Sequence, residues 1–524
     1  MPPAARGWPR ILEYAREAVH GDGPLGPAGA SIHGNPWRRA RISATGSCGS
    51  AARVAGELRQ VFLAARLAAI YLALGSIGTP VARKERSRGR TTGQTVGLAG
   101  LTWLRRPPRG VPAAKAGGSL MITSEAPKGV ELLEKLAKSG EGKSPLGCMQ
   151  CGLCAASCPL GEVMEFPPRK LILQTMAGNL DKVLASPALW MCVACYTCSH
   201  RCPRDIELTD GLWPALRDRA MQQGLQPPAE LQETFENIFK YGNTLGKSPR
   251  QRLDWAKDLD VRVLDLSKEP RPVDVLWLVG CYPSYYPRNR GVTRAFARIL
   301  TALGVSWGVL GTKEKAIGEC DRMFGEEGLF ETLVEENRKL LDAQRFETLV
   351  VLDPHAFRAL QNYYPRFGAW YPVQHYTTFL AERLEQIKPL LIKPVEATVT
   401  YHDNCCAGRR CGYYDQPRAL LQAIPGVKLV EMVRNRDNAL CCGGGGGGMW
   451  LDGHIVAHGG HRLSDERIRQ AADTGAGTLA VSCPYELARF EDAAKVTGLE
   501  GRVIVRDIIE LLAQSMDLGE RSVS

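Results

Sequence analysis

The sequence predicts a mixed fold, α+β overall: a mainly helical, cysteine-rich domain followed by two pseudo-repeated α/β domains. Three observations predict it. Sixteen of the 17 cysteines fall after residue 140, and the first eight of these form two runs of identical spacing. From residue 273 onward, short apolar strands alternate with helical stretches, the pattern of small parallel-sheet units. The segment 349–357 also lines up with 479–487, so one unit recurs.

Residues 1–120 carry 18 Lys+Arg against 5 Asp+Glu, whereas the rest of the chain carries 48 against 50. The net charge of +11 therefore belongs to the N-terminal segment. That segment is rich in Arg, Gly, Ala and Pro and has no sustained period. It is expected to be a disordered basic extension, or translated sequence upstream of a start near Met121, with a targeting leader as the competing reading. The remainder has no basic stripe to grip phosphates, so no nucleic-acid partner is expected. No run of about 20 uncharged apolar residues occurs, so no transmembrane helix is expected.

The cysteine-rich domain is expected over residues 121–225. Residues 129–138 place Leu132, Leu133 and Leu136 on one helical face. A second helix starts at Pro167–Pro168, where proline suits a first turn, and helices follow over 212–222 and 230–240. Residues 226–270 read as a linker whose polar stretch runs from Gly246 to Pro272. The α/β domains occupy 271–395 and 396–524. Their strands are expected at 273–279, 348–352, 397–401, 427–432 and 478–482. Their helices are expected over 292–303, 329–343, 417–424 and 465–472, and from Pro354 and Pro484.

Cys148-x-x-Cys151-x-x-Cys154-x-x-x-Cys158-Pro159 and Cys192-x-x-Cys195-x-x-Cys198-x-x-x-Cys202-Pro203 have the spacing of two-cluster bacterial ferredoxins. Three close thiolates hold three irons of a cubane, and the fourth cysteine, ahead of a proline that turns the chain, crosses to the other cluster. The expected [4Fe-4S] ligand sets are Cys148, Cys151, Cys154 and Cys202 for one, and Cys192, Cys195, Cys198 and Cys158 for the other. A pair of zinc knuckles is the alternative, disfavoured by two complete matches. C-x-x-C spacing of this kind points to metal sites in a reducing compartment.

Cys281, Cys405 and Cys483 each end an expected strand, where α/β folds bind ligands. Cys483 also lies beside a helix N-terminus, whose dipole suits a thiolate. Cys320 lies between the first two, and Cys441-Cys442 precede six glycines, Gly443–Gly448. The glycine run lacks the Lys-Ser/Thr of a phosphate loop and is expected to wrap closely around a cluster. His454, His458 and His461 share a possible helix face that would suit zinc, against the reading of an ordinary solvated face.

Tyr401-His402-Asp403-Asn404-Cys405, Cys441-Cys442-Gly443 and Cys483-Pro484 resemble the cysteine-rich CCG domain of heterodisulfide reductase B-type subunits. The dicluster segment resembles the C-type subunit, and residues 121–524 together resemble the fused D-type subunit. The resemblance implies a further [4Fe-4S] cluster held by Cys405, Cys441, Cys442 and Cys483. A fifth thiolate in the family motif completes a non-cubane cluster that splits a disulfide. Here Glu486 stands at that position, as an oxygen ligand, or Cys406 or Cys411 substitutes for it. The first copy keeps only Cys281 and Cys320; Asp321 and Asp353-Pro354-His355-Ala356 replace its other motif residues, so no family-type cluster is expected there.

The implied function is an iron–sulfur oxidoreductase subunit passing electrons between the two [4Fe-4S] clusters and the C-terminal cluster, with thiol/disulfide chemistry at the last. Two readings stand beside it: an electron relay for a flavoprotein dehydrogenase of glycolate or glycerol-3-phosphate type, and a structural iron–sulfur scaffold. No flavin or nucleotide fingerprint is visible, so a flavoprotein or other redox subunit, or a quinone-reactive membrane subunit, is the expected partner. The expected location is the cytoplasm, with any attachment to the inner face of the membrane made through that partner.

Overall fold

The computed structural model describes residues 128–138 and 144–518, so the expectations for residues 1–120 lie outside the described residues. Four principal helices shape the cysteine-rich part: α1 (Lys128–Lys138), α2 (Pro168–Met176), α3 (Trp213–Gln222) and α4 (Ala229–Tyr241). Pro168 takes the first position of α2, where its missing N–H and fixed φ cost nothing. Helix α4 stops at Gly242, which adopts φ +68, the left-handed conformation that glycine enters without a Cβ penalty. The cysteines lie in short turns between these helices, over a core of Ile172, Leu189, Met191, Leu212, Trp213 and Leu216.

Two four-stranded parallel sheets follow, as the strand–helix alternation requires. The first comprises β1 (Val273–Leu278), β2 (Trp307–Gly308), β3 (Phe346–Val351) and β4 (Val373–His375), in the order β2-β1-β3-β4. The second comprises β5 (Ala397–Tyr401), β6 (Val427–Val430), β7 (Thr478–Val481) and β8 (Ile504–Asp507), in the order β6-β5-β7-β8. The same order recurs in both. Helices α5 (Pro287–Ala302), α6 (Glu327–Asp342) and α7 (Pro354–Arg358) belong to the first half. Helices α8 (Asp415–Ala423), α9 (Leu463–Ala472), α10 (Pro484–Val496) and α11 (Ile508–Ser515) belong to the second. Helix α5 starts five residues earlier than its apolar pattern suggests, because Pro287 supplies the N1 position.

The halves are locked together by polar contacts as well as apolar ones. Arg288 on α5 donates to Glu491 at 2.6 Å and to Glu510 at 2.7 Å, and Asn289 Nδ2 donates to the Pro484 carbonyl at 3.0 Å. The strand tips of both sheets thereby approach each other, which brings the residues after β1, β3, β5 and β7 into one neighbourhood.

The polar stretch expected as a linker, 246–272, is a packed strap. Arg252 is buried and pairs with Glu314 at 2.8 Å, and Glu314 also accepts from the Val279 and Gly280 amides at the tip of β1. Trp255 is buried against Trp277, and Phe296 and Trp307 complete the ring cluster at centroid distances of 5.0–5.9 Å from Trp277. Truncating a buried ring of this kind typically costs about 3–5 kcal/mol. A few apolar anchors hold the strap down although its average composition is polar.

Candidate metal centres

The two cysteine runs build two separate pockets. Cys148, Cys151, Cys154 and Cys202 line one; Cys158, Cys192, Cys195 and Cys198 line the other. The fourth cysteine of each run thus sits with the first three of the other. Backbone conformation explains the tight turns: Gln150 (φ +57) and Gly152 (φ +85) recur in the second run as Ala194 (φ +53) and Tyr196 (φ +65). Holding a non-glycine residue there costs roughly 1–2 kcal/mol, and such strain collects at functional sites. Burial, with neighbouring sulfurs adding to it, pushes the Cys154 thiol up to about 11 and raises Cys158 and Cys198 as well. Thiolates packed this closely need a cation among them, and the soft donor set suits iron.

A third cluster of sulfur lies in the second half. Cys405 follows β5 and opens a turn over Cys405–Arg410 that Asn404 caps, its Oδ1 accepting from the Cys406 and Ala407 amides. Cys441 and Cys442 accept from the Gly443 and Gly444 amides at 3.2 and 3.4 Å. Cys483 follows β7 at the N-terminus of α10. All five thiols, Cys405, Cys406, Cys441, Cys442 and Cys483, are buried. The Cys405 thiol lies within hydrogen-bonding reach of both Cys406 and Cys441, and Cys441 of Cys442. Cys411 is set apart: it is only partly buried, and Gln361 Oε1 is 4.0 Å away.

Glu486 is completely buried within this group. Its Oε1 accepts from Asn404 Nδ2 at 2.6 Å and faces His402 Nε2 at 3.3 Å, whereas its Oε2 has no hydrogen-bond partner. Glu486, His402 and Cys442 offer donor atoms within 4.8 Å of one another. A partnerless buried carboxylate oxygen among thiols fits a metal-bound carboxylate, since an unsatisfied group of this kind otherwise costs free energy.

The glycine run does two jobs. Its first amides point at sulfurs, as above, but the rest serves close packing against other parts of the chain. A Cβ on Gly445 would stand 2.7 Å from His355, on Gly446 2.9 Å from Ala194, and on Gly447 2.8 Å from Phe324. Wrapping a cluster, the expected reason for the glycines, thus accounts for only part of the run.

Sequence reasoning missed His355. It lies after β3 in the half without a thiolate set, yet its Nδ1 is 3.3 Å from Cys406 Sγ and 3.4 Å from Glu319 Oε1. Cys281 and Cys320 line a neighbouring cleft with Asp353, His355 and Tyr485. The signal available was the alignment of 349–357 with 479–487, which sets His355 opposite Tyr485. His454, His458 and His461 do not form a zinc site: the helix carrying the first is only Asp452–Ala457, His454 Nε2 is taken by the Pro187 carbonyl, and His461 faces Glu466.

The second ferredoxin-type loop touches the third group directly. Arg409 and Arg410, in the turn that begins at Cys405, donate to the carbonyls of Cys195 and Ala194, each at 2.7 Å. Buried Arg217 ties the same loop to the first α/β half, donating to the carbonyls of Leu189, Cys192 and Met323 at 2.8–3.0 Å.

The chain matches two family models: a 4Fe-4S dicluster domain over residues 145–206 and a cysteine-rich domain over 399–485. It is 35% identical over 341 residues to the probable iron-sulfur-binding oxidoreductase FadF of Bacillus subtilis, covering 64% of this chain and 48% of that protein. It is 30% identical to the EtfAB:quinone oxidoreductase of Syntrophomonas wolfei, covering 71% and 58%. The chain spans about half the length of these two relatives. Against the D-type subunit of the dihydromethanophenazine:CoB–CoM heterodisulfide reductase of Methanosarcina mazei it is 30% identical over 402 residues, 71% of this chain and 94% of the relative. A dicluster segment, a cysteine-rich domain and a match running nearly the full length of that relative make this chain a member of the D-type heterodisulfide reductase family of iron–sulfur proteins.

Proposed function

We propose that the chain carries electrons between two [4Fe-4S] clusters, held by Cys148, Cys151, Cys154 and Cys202 and by Cys192, Cys195, Cys198 and Cys158, and a third centre held by Cys405, Cys441, Cys442 and Cys483. Glu486 and Cys406 are the further ligands at the third centre, and thiol/disulfide chemistry takes place there. The observation that carries this reading is the convergence of five buried sulfurs and the partnerless Glu486 oxygen, directly behind the loop of Cys192–Cys198. Bound clusters supply one-electron transfer. Reducing a disulfide to two thiols consumes two electrons and two protons, so a reduced partner delivers electrons in two successive steps. The buried arginines at 217, 409 and 410 hold the intervening loop rigid, and burial keeps bulk water from the five sulfurs of the third centre.

A relay serving a flavoprotein is the second reading, favoured by the relative named EtfAB:quinone oxidoreductase. In that reading the partners are a flavoprotein and a quinone-reactive membrane subunit. Among the described residues no helix is long and apolar enough to cross a membrane.

Cys442→Ser tests the third centre. The variant should lose one EPR signal and about four irons per chain while keeping the two ferredoxin-type signals. Survival of every signal would remove the third centre and the thiol/disulfide function with it. Failure of the intact chain to reduce a disulfide with viologen as donor, with three centres present, would leave the relay reading alone.

A further inference from the structure

We propose that His355 tunes the third centre from the opposite half of the molecule: its Nδ1–H donates to Cys406 Sγ and raises the reduction potential of that centre. The inference rests on the reading of a centre at Cys405, Cys441, Cys442 and Cys483 with Cys406 as a further ligand. His355 acts through a cysteine, as a positioning residue.

The placement is specific. His355 belongs to the segment Asp353–Ala356 that stands where a second thiolate pair would otherwise lie, at the tip of β3. Its ring leaves its own half and enters the sulfur group of the other, with Nδ1 3.3 Å from Cys406 Sγ. One ring nitrogen also lies within 4.8 Å of Cys483 Sγ and an Asp353 carboxylate oxygen. The close neighbours of Nδ1 are both acceptors, Cys406 Sγ and Glu319 Oε1 at 3.4 Å. A nitrogen facing only acceptors carries the hydrogen. Burial opposes the ionised form of Glu319, but His355, Arg410 and Arg322 beside it hold its carboxyl below the usual range, so it remains an acceptor.

The surroundings keep the ring where it is. The Asp353 side chain accepts from the His355 amide at 2.8 Å, and Tyr485 meets the imidazole edge-on at 5.9 Å between centroids. Gly445 makes the space, because a Cβ there would lie 2.7 Å from His355 Cε1. Gly445 itself donates neither of the thiol–amide bonds described above, and the nearest atoms to a Cβ there all belong to His355, so its glycine answers to this imidazole.

A hydrogen bond to a coordinating sulfur draws electron density from the thiolate and favours the more negative, reduced state of the cluster. The half that lacks its own thiolate set thus supplies an outer contact to its neighbour's.

The test is an EPR-monitored redox titration of the full-length protein. In His355→Leu the midpoint of the third centre should move to more negative potential while both ferredoxin-type midpoints stay in place. His355→Gln, which retains an N–H, should recover part of the shift. Gly445→Ala, which displaces the ring without deleting it, should shift the midpoint in the same direction and guards against misfolding of the first variant. An unmoved midpoint in His355→Leu and Gly445→Ala, with the third signal present, overturns the proposal alone. Loss of that centre's iron in properly folded His355→Leu makes His355 a ligand and overturns the hydrogen-bond assignment. No third signal in the unmodified protein removes the centre itself.

Discussion

Gly448→Ala would test whether the glycine run is required by packing. A Cβ at 448 would stand 2.3 Å from the Gly443 carbonyl oxygen and 3.3 Å from Val193 Cγ1. Ordinary contact begins at 3.4 Å, so the backbone at Gly443 must retreat by about 1.1 Å. Backbone cannot swing aside as a flexible side chain can. Overpacking of this degree costs about 1–3 kcal/mol. The same movement drags the Gly443 amide from Cys441 Sγ, 3.2 Å away, and loss of that bond adds about 1 kcal/mol. The expected destabilisation is therefore about 2–4 kcal/mol, read by anaerobic urea unfolding, with iron counted in the same samples. The third centre should weaken or disappear while the two ferredoxin-type signals persist. Gly459→Ala is the control: its φ is +81 but nothing lies within 4 Å, so only the left-handed conformation is penalised, by about 1–2 kcal/mol. If Gly448→Ala keeps its third signal and is no less stable than Gly459→Ala, the steric argument is wrong.

Two further outcomes are expected. Cys406→Ser should change the EPR signal of the third centre and Cys411→Ser should not, since only the first thiol lies inside the sulfur group; equal effects would refute the choice of Cys406. Burial pushes the Asp321 carboxyl up to about 7, and its Oδ1 has no partner. Its native pKa therefore lies above the unfolded value of about 3.9, so the stability it contributes is present below about pH 4 and is lost as pH rises to 7. Asp321→Asn should be the more stable protein at pH 8, with an advantage that grows between pH 4 and 7; a constant difference across that window would show that Asp321 is not neutral in the native state.

Much of the candidate site was legible because its parts are short-range. Eight cysteines separated by two or three residues leave the backbone few ways to arrange them, and the pockets group them as their spacing implies. Helix starts at Pro168, Pro354 and Pro484 and the strand Ala397–Tyr401 were readable for the same reason: proline geometry and alternating apolar residues act within a few positions. Mixed α/β architecture with small parallel sheets followed from the alternation itself.

Other features depended on where distant segments meet. Cys406 and Cys411 are five residues apart, and either could substitute for the missing thiolate on spacing alone. The Asn404-capped turn carries one into the sulfur group and leaves the other half-exposed. The strap 246–272 looked like a linker because its average is polar, although Trp255, Leu266 and Arg252 are buried. His355 and Cys406 are 51 positions apart and follow strands of different sheets. Local spacing and periodicity determined the helices, the strands and the ligand-bearing loops, because those obey backbone geometry over a few residues. The tertiary structure alone decided that Cys406 and not Cys411 joins the third group, why Gly445 is a glycine and which half supplies the imidazole, because those depend on how two sheets pack tip to tip.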